Sequence, residues 1–161
     1  MVTYGSSAVT LTNFGTITGV GAAVSFSSSA DVLQVEAGCL FEGAVLGAGG
    51  TLDLASGSGR ISGLGGGDVT VSGGTAETTF AHFATLDIAD GARFTLAGTG
   101  TIGAGGLASL VDDGTLVVAH ALAGTGTLAV GAGNLSLRTG ASVSVSTATF
   151  AAGAAANGRG R

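Results

Sequence analysis

Short runs in which apolar and polar residues alternate recur along the whole chain. VTLT (9–12), DVLQV (31–35), TLDL (51–54), DVTV (68–71), TLDI (85–88), RFTL (93–96), TLVV (115–118), TLAV (127–130) and NLSL (134–137) are clear examples. Each sets Val, Leu, Ile or Phe against Thr, Ser, Asp or Ala at period two, which puts the two sets on opposite faces of a strand. No window of a dozen residues carries the i, i+3, i+4, i+7 apolar spacing of a helix. Gly-rich punctuation such as GAGG, GLGGG, ADGA and GTG separates the runs, and such clusters mark turns. Strands begin about every seven to eight residues. Three per turn give a coil of about 23 residues, within the periods of solenoids and too tight for a sandwich. The pattern predicts an all-β parallel β-helix of about seven coils, each of roughly 20–26 residues.

One echo sharpens this. LAGTGTI (96–102) returns as LAGTGTL (122–128), 26 positions later, and reads as one coil with a lengthened turn. Leu96 and Leu122 are expected to close inward columns. Gly98 and Gly124 permit the bend, and Ile102 and Leu128 begin the next strand. The glycines also invite a dinucleotide reading, as does GVGAAV (19–24). That chemistry needs a helix N-terminus behind the turn, and no helix follows. No cofactor-binding residue is assigned.

Composition narrows the classes. The chain has 161 residues, of which 32 are Gly and 9% are charged; there is no Pro. Pro-free strands suit a stack in which nearly every strand must donate to a ladder. All five basic residues are Arg (Arg60, Arg93, Arg138, Arg159 and Arg161), the net charge is −5 and the pI is about 4.6. With no basic stripe, nucleic acid is not an expected partner. Mean hydropathy is +0.61, yet polar residues or Gly interrupt every apolar run well short of the ~20 residues a spanning helix needs. The segment is not expected to span a membrane. Residues 1–161 read as a single solenoid segment of a longer exported protein, with a frayed Gly/Ala/Arg end over 151–161. MVTYGSSAVT lacks the basic and apolar regions of a signal peptide, so the export signal is expected elsewhere.

Candidate chemistry is sparse. Asp112 and Asp113 in VDDGTL are adjacent acids, and paired carboxylates can hold calcium or act on polysaccharide. Arg93 and Arg138 are their nearest bases, with no spacing that assigns them to one face. Asp-Gly is also a common turn dipeptide. His82 and His120 sit between alanines without a second ligand at metal spacing, and read as structural. Cys39 is the single cysteine; it forms no internal disulfide and is expected to pack as a small apolar group. LGGGDVTV (64–71) is one imperfect copy of a calcium nonapeptide and reads as a turn with an Asp. TxT triplets at Thr16/Thr18, Thr99/Thr101, Thr125/Thr127 and Thr147/Thr149 lack the constant spacing an ice-binding face requires. NLS (134–136) is a formal glycosylation sequon at a chance-level frequency. No catalytic, cofactor-binding or metal-ligating residue is therefore assigned.

The stretch from Gly15 to Leu64, with ATLDIADGARFTLAGTGTI and GTLVVAHALAGTGTLAVGAG, resembles the passenger repeats of bacterial autotransporters. It is especially similar to alphaproteobacterial β-strand-repeat proteins, some of which carry a C-terminal Hint domain. The resemblance rests on composition and period, covers most of the chain and brings no catalytic motif. It implies a right-handed coil sense, export to the surface or medium of a Gram-negative bacterium, and roles in adhesion, biofilm or display. The expected function is a non-enzymatic stalk or adhesive scaffold that touches surface glycans or proteins. The alternatives are a polysaccharide lyase or hydrolase on the same scaffold, and a self-associating filament or ice-binding solenoid.

Overall fold

A computed structural model describes residues 7–73, 76–103 and 105–158. Among the described residues every regular element is a strand. In chain order they are β1 (Thr10–Asn13), β2 (Thr16–Ser25), β3 (Val32–Val35), β4 (Leu40–Leu46), β5 (Thr51–Leu54) and β6 (Ser58–Ser62). Then come β7 (Asp68–Gly73), β8 (Ala76–Ala81), β9 (Thr85–Ile88), β10 (Arg93–Leu96), β11 (Thr99–Ile102) and β12 (Ser109–Asp112). The last are β13 (Thr115–Val118), β14 (Ala121–Val130), β15 (Asn134–Leu137), β16 (Ser142–Phe150) and β17 (Ala155–Gly158). They coil into a β-solenoid of about seven turns, with two sheets facing each other across one apolar core.

The first sheet runs β1-β3-β5-β9-β12-β14, with β11 and β16 both beside the long β14. Every pair in it is parallel. Register stacks Leu11, Leu33, Leu52, Leu86, Leu110 and Leu128 in one inward column. The middle four are no more than 1% exposed. This is the leucine sheet. Identical side chains repeat the same shape at each step of about 4.8 Å, so each nests on the one below.

The second sheet runs β17-β15-β13-β10-β6-β7-β8-β4-β2. Its outer face carries Arg60 and Arg93, and we call it the arginine sheet. Here the architecture departs from a plain stack. Between β6 and β8 lies β7, antiparallel to both. DVTV (68–71), expected as an ordinary coil strand, is the core of this inserted strand. In the leucine sheet Thr51 stands opposite Thr85, a step of 34 residues, where the other steps are 18–24. The surplus forms the β6-β7-β8 meander. β8 rejoins the stack by pairing with β4 only at Val45–Phe80 and Leu46–Ala81. The first half of β4 and the first residues of β8 therefore part from each other.

Buried polar side chains tie the corners. Asp31, 1% exposed, accepts from the Val9 amide at 2.9 Å and from the Ser27 and Ser28 amides at 3.2 and 3.0 Å. Asn13 accepts from the Gly15 amide at 3.0 Å and donates to the Leu40 carbonyl at 3.3 Å. Such corners leave backbone donors that need partners away from water.

The LAGTGT copies differ in place. The local coil is 22 residues, since Thr99 stands opposite Ala121. The copies, 26 apart, are thus four residues out of register, and Leu122 lies beside Gly100 rather than in the column of Leu96. Both leucines are buried and both bend glycines have positive φ, +85° at Gly98 and +123° at Gly124. Ile102 ends β11 rather than beginning a strand. At the far end, Ala155–Gly158 pairs with β15; residues 159–161 of the Gly/Ala/Arg end lie outside the described residues.

Candidate functional site

The leucine sheet carries acids on its outer face, whereas the arginine sheet carries Arg93 and Arg60 on β10 and β6 and the acids Glu42, Asp68 and Glu77 on β4, β7 and β8. On the leucine sheet a polar column runs Thr12, Gln34, Asp53, Asp87. The Thr12 hydroxyl donates to Gln34 Oε1 at 2.7 Å, and Gln34 Nε2 donates to Asp53 Oδ2 at 3.0 Å. Asp53 and Asp87 then face each other on adjacent strands, each with a buried Oδ1 that has no partner. Burial, followed by the charges of Asp53 and Asp113, pushes Asp87 up to about 6. Asp53 is also raised, chiefly by burial, against a lowering bond from Gln34. Like charges one strand apart disfavour double ionisation.

On this face a threonine-rich column does exist: Thr51, Thr85, Ser109, Thr127 and Thr147 are in register. Its neighbouring column is Asp53, Asp87, Val111, Ala129 and Thr149. Of the four TxT triplets, only Thr147/Thr149 lies in both columns.

The arginine sheet presents a shallow groove of about 800 Å³. Arg93 and Thr95 on β10, Ser136 on β15, Asn157 on β17 and the corner residues His120, Arg138 and Thr139 line it. Among the described residues no carboxylate lines it. Among the described residues no ion pair engages Arg60, Arg93 or Arg138. Arg60, opposite Thr95, extends the cationic face by one strand. The fold thus brings Arg93 and Arg138 to one face, which their sequence spacing did not reveal. Two strand steps and four residues separate them, so their Cα atoms lie about 16 Å apart.

The adjacent acids are separated by the backbone. Asp112 is the last residue of β12, fully buried in the inward column between Ile88 and Val130. Its Oδ2 accepts from the Leu116 amide at 3.3 Å and its Oδ1 has no partner. Burial is the main reason its carboxyl is raised to about 6. Asp113 turns toward the next coil, where Oδ1 accepts from the Ala132 amide at 3.2 Å. Arg93 and Arg138 line the groove on the arginine sheet, and neither acid lines that groove.

His82 and His120 are both exposed corner residues, where the sequence suggested apolar surroundings. His82 has φ +59°, and its carbonyl accepts from the Gly49 amide. Cys39 is half-buried beside Glu36; burial first, then the Glu36 charge, raises its thiol. Among the described residues no group of three or more His, Cys, Asp or Glu is placed to hold a metal. No described helix is long and apolar enough to cross a membrane. Comparison with protein-family models, curated proteins and solved structures finds no match.

Proposed function

We propose that the chain is a non-enzymatic scaffold segment of a secreted or cell-surface bacterial protein, of the autotransporter-passenger kind, that adheres to acidic glycans through its arginine sheet. The observation that carries this reading is the groove of donors without acceptors of negative charge: Arg93, Arg138 and His120 with Thr95, Ser136 and Asn157. Guanidinium groups pair bidentately with carboxylates, and the hydroxyl and amide side chains suit sugar hydroxyls. Spacing favours a sparsely charged polymer. A duplex carries one charge per ~1.7 Å, whereas these cations stand about 16 Å apart on an acidic protein. No phenylalanine or tyrosine ring among the described residues lines the groove, so each contact is weak and affinity grows by repetition.

The buried Asp112, bonded to backbone, supports a non-catalytic role over the lyase or hydrolase alternative. The test is immobilised hyaluronan or alginate against neutral dextran. Acidic chains bind and dextran does not; Arg93→Ala with Arg138→Ala lowers binding about tenfold or more, and added salt does the same. Equal binding to dextran sinks the reading. Unsaturated or reducing-end products from the acidic chains would move it to the enzyme class.

A second reading has its own observation. Phe150 on β16 is 49% exposed. Exposed apolar side chains favour protein contacts, and self-association through this face would cover the ring. Concentration-dependent light scattering, abolished by Phe150→Lys, tests it.

A further inference from the structure

The parted seam of the arginine sheet encloses a cavity of about 570 Å³. Its cause is the inserted β7. β4 and β8 meet only at their ends, so Leu40–Ala44 has no ladder partner on the β8 side. Strands that diverge from a joined end leave a wedge of space. The wedge is floored by Phe41, Val71, Phe80 and Phe94. Phe41 and Phe80 meet edge-on with centroids 5.7 Å apart. The corner 35–40 and the corner 56–58 form its rim. The volume lies within the ~300–1,000 Å³ of small-molecule sites, which combine apolar walls with a few convergent polar groups.

The rim sets the sign of the ligand. Among the described residues Glu36 is the single charged side chain lining the cavity. Its Oε2 accepts from the Ser56 hydroxyl, which fixes the carboxylate at the mouth. No Arg or His among the described residues lines the space. A carboxylate above an aromatic floor repels anions and attracts organic cations, whose ammonium groups also favour ring faces.

We infer that this cavity binds a small organic cation, its ammonium group at Glu36 and its apolar body on Phe41, Phe80 and Phe94. The site is separate from the arginine groove, and neither reading depends on the other.

The probes are hexyltrimethylammonium, hexanol and hexanoate, equal in chain length and different in charge. They are titrated into the chain with its backbone amides followed by two-dimensional NMR. The cation shifts amides of 35–40, 56–58 and Thr78, and binds about fivefold or more tighter than hexanol, with hexanoate weakest. Glu36→Gln brings the cation down to the affinity of hexanol. Ser58→Trp, which fills the mouth and leaves Glu36 intact, weakens the cation and hexanol; it carries the test if Glu36→Gln fails to fold. Hexanoate binding as tightly as the cation overturns the inference. So do shifts centred on Asp53 and Asp87 instead, or no shift at about 20 mM of the cation.

Discussion

The two sheets are built from the same alternating vocabulary and behave differently. The leucine sheet is parallel throughout, and its inward column repeats one side chain at six successive levels. The arginine sheet is parallel at both ends and antiparallel in the middle, with a seam where β4 and β8 pair only at Val45 and Leu46, continued by the Gly47 and Gly49 amides bonding to the Ala81 and His82 carbonyls. Alternation specifies which face a residue takes. Direction depends on what the turn does, and the connections on both sides of β7, GLGGGD (63–68) before it and the one between Gly73 and Ala76 after it, reverse the chain where others advance it. The uniform sheet supplies core; the interrupted one supplies the groove, the cavity and the unpaired cations.

The sharpest way to break this contrast is to cut the same side chain from each region. Leu86→Ala removes a fully buried leucine from the column and is expected to cost about 3–4 kcal/mol. Leu64→Ala, at 6% exposure beside the inserted strand, should cost about 2 kcal/mol because the looser surroundings relax. Urea denaturation of both variants decides; equal losses would mean the interrupted sheet packs as tightly as the stack.

Next in size are the two bend glycines. A Cβ at Gly124 would stand 2.1 Å from the Ile102 carbonyl, whereas one at Gly98 meets nothing within 4 Å. Gly124→Ala should cost about 3 kcal/mol and Gly98→Ala about 1 kcal/mol, the latter from positive φ alone. Thermal melts that rank them in reverse would contradict the register of β11 on β14.

The outer faces give the smallest effects. Asp87 and Asp112 are both raised to about 6 from an ordinary 3.8. Between those values the folded chain holds more protons than the unfolded one, so stability falls as pH rises through the window. The urea midpoint is expected to be higher at pH 5 than at pH 7.5. Asp87→Asn should recover about 1 kcal/mol at pH 7.5 and almost nothing at pH 4. A midpoint independent of pH would show that these carboxyls are solvated. Arg93→Ala should leave stability within about 0.5 kcal/mol while lowering glycan binding, the counterpart on the cationic side.

Much of the solenoid was legible in the sequence. Leu11, Leu52, Leu86 and Leu128 already stood at the alternating positions, and the Gly-rich turns told where strands stop. The inserted strand was not legible, because DVTV has the same period in either direction. The LAGTGT echo misled on register: 26 residues between copies is not the 22-residue local coil, so sequence likeness was not positional equivalence. The groove was hidden for a related reason. Arg93, His120 and Arg138 become neighbours only once β10, β13 and β15 are laid side by side in register. Asp112 and Asp113 stood adjacent in sequence and were split by the strand's own alternation, one carboxylate to the core and one to the next turn.

The seam has a mechanical consequence. Along most of the rod, bending requires stretching ladders on one side against a tightly nested column on the other. At the β4–β8 junction one side is continuous through β3, β5 and β9, while the opposite side is joined only over Val45–Gly49, against Phe80–His82. Load applied across the axis therefore concentrates there, and the rod flexes at that level with its spine intact. A solenoid with one such junction bends there more readily than one laddered evenly along its whole length.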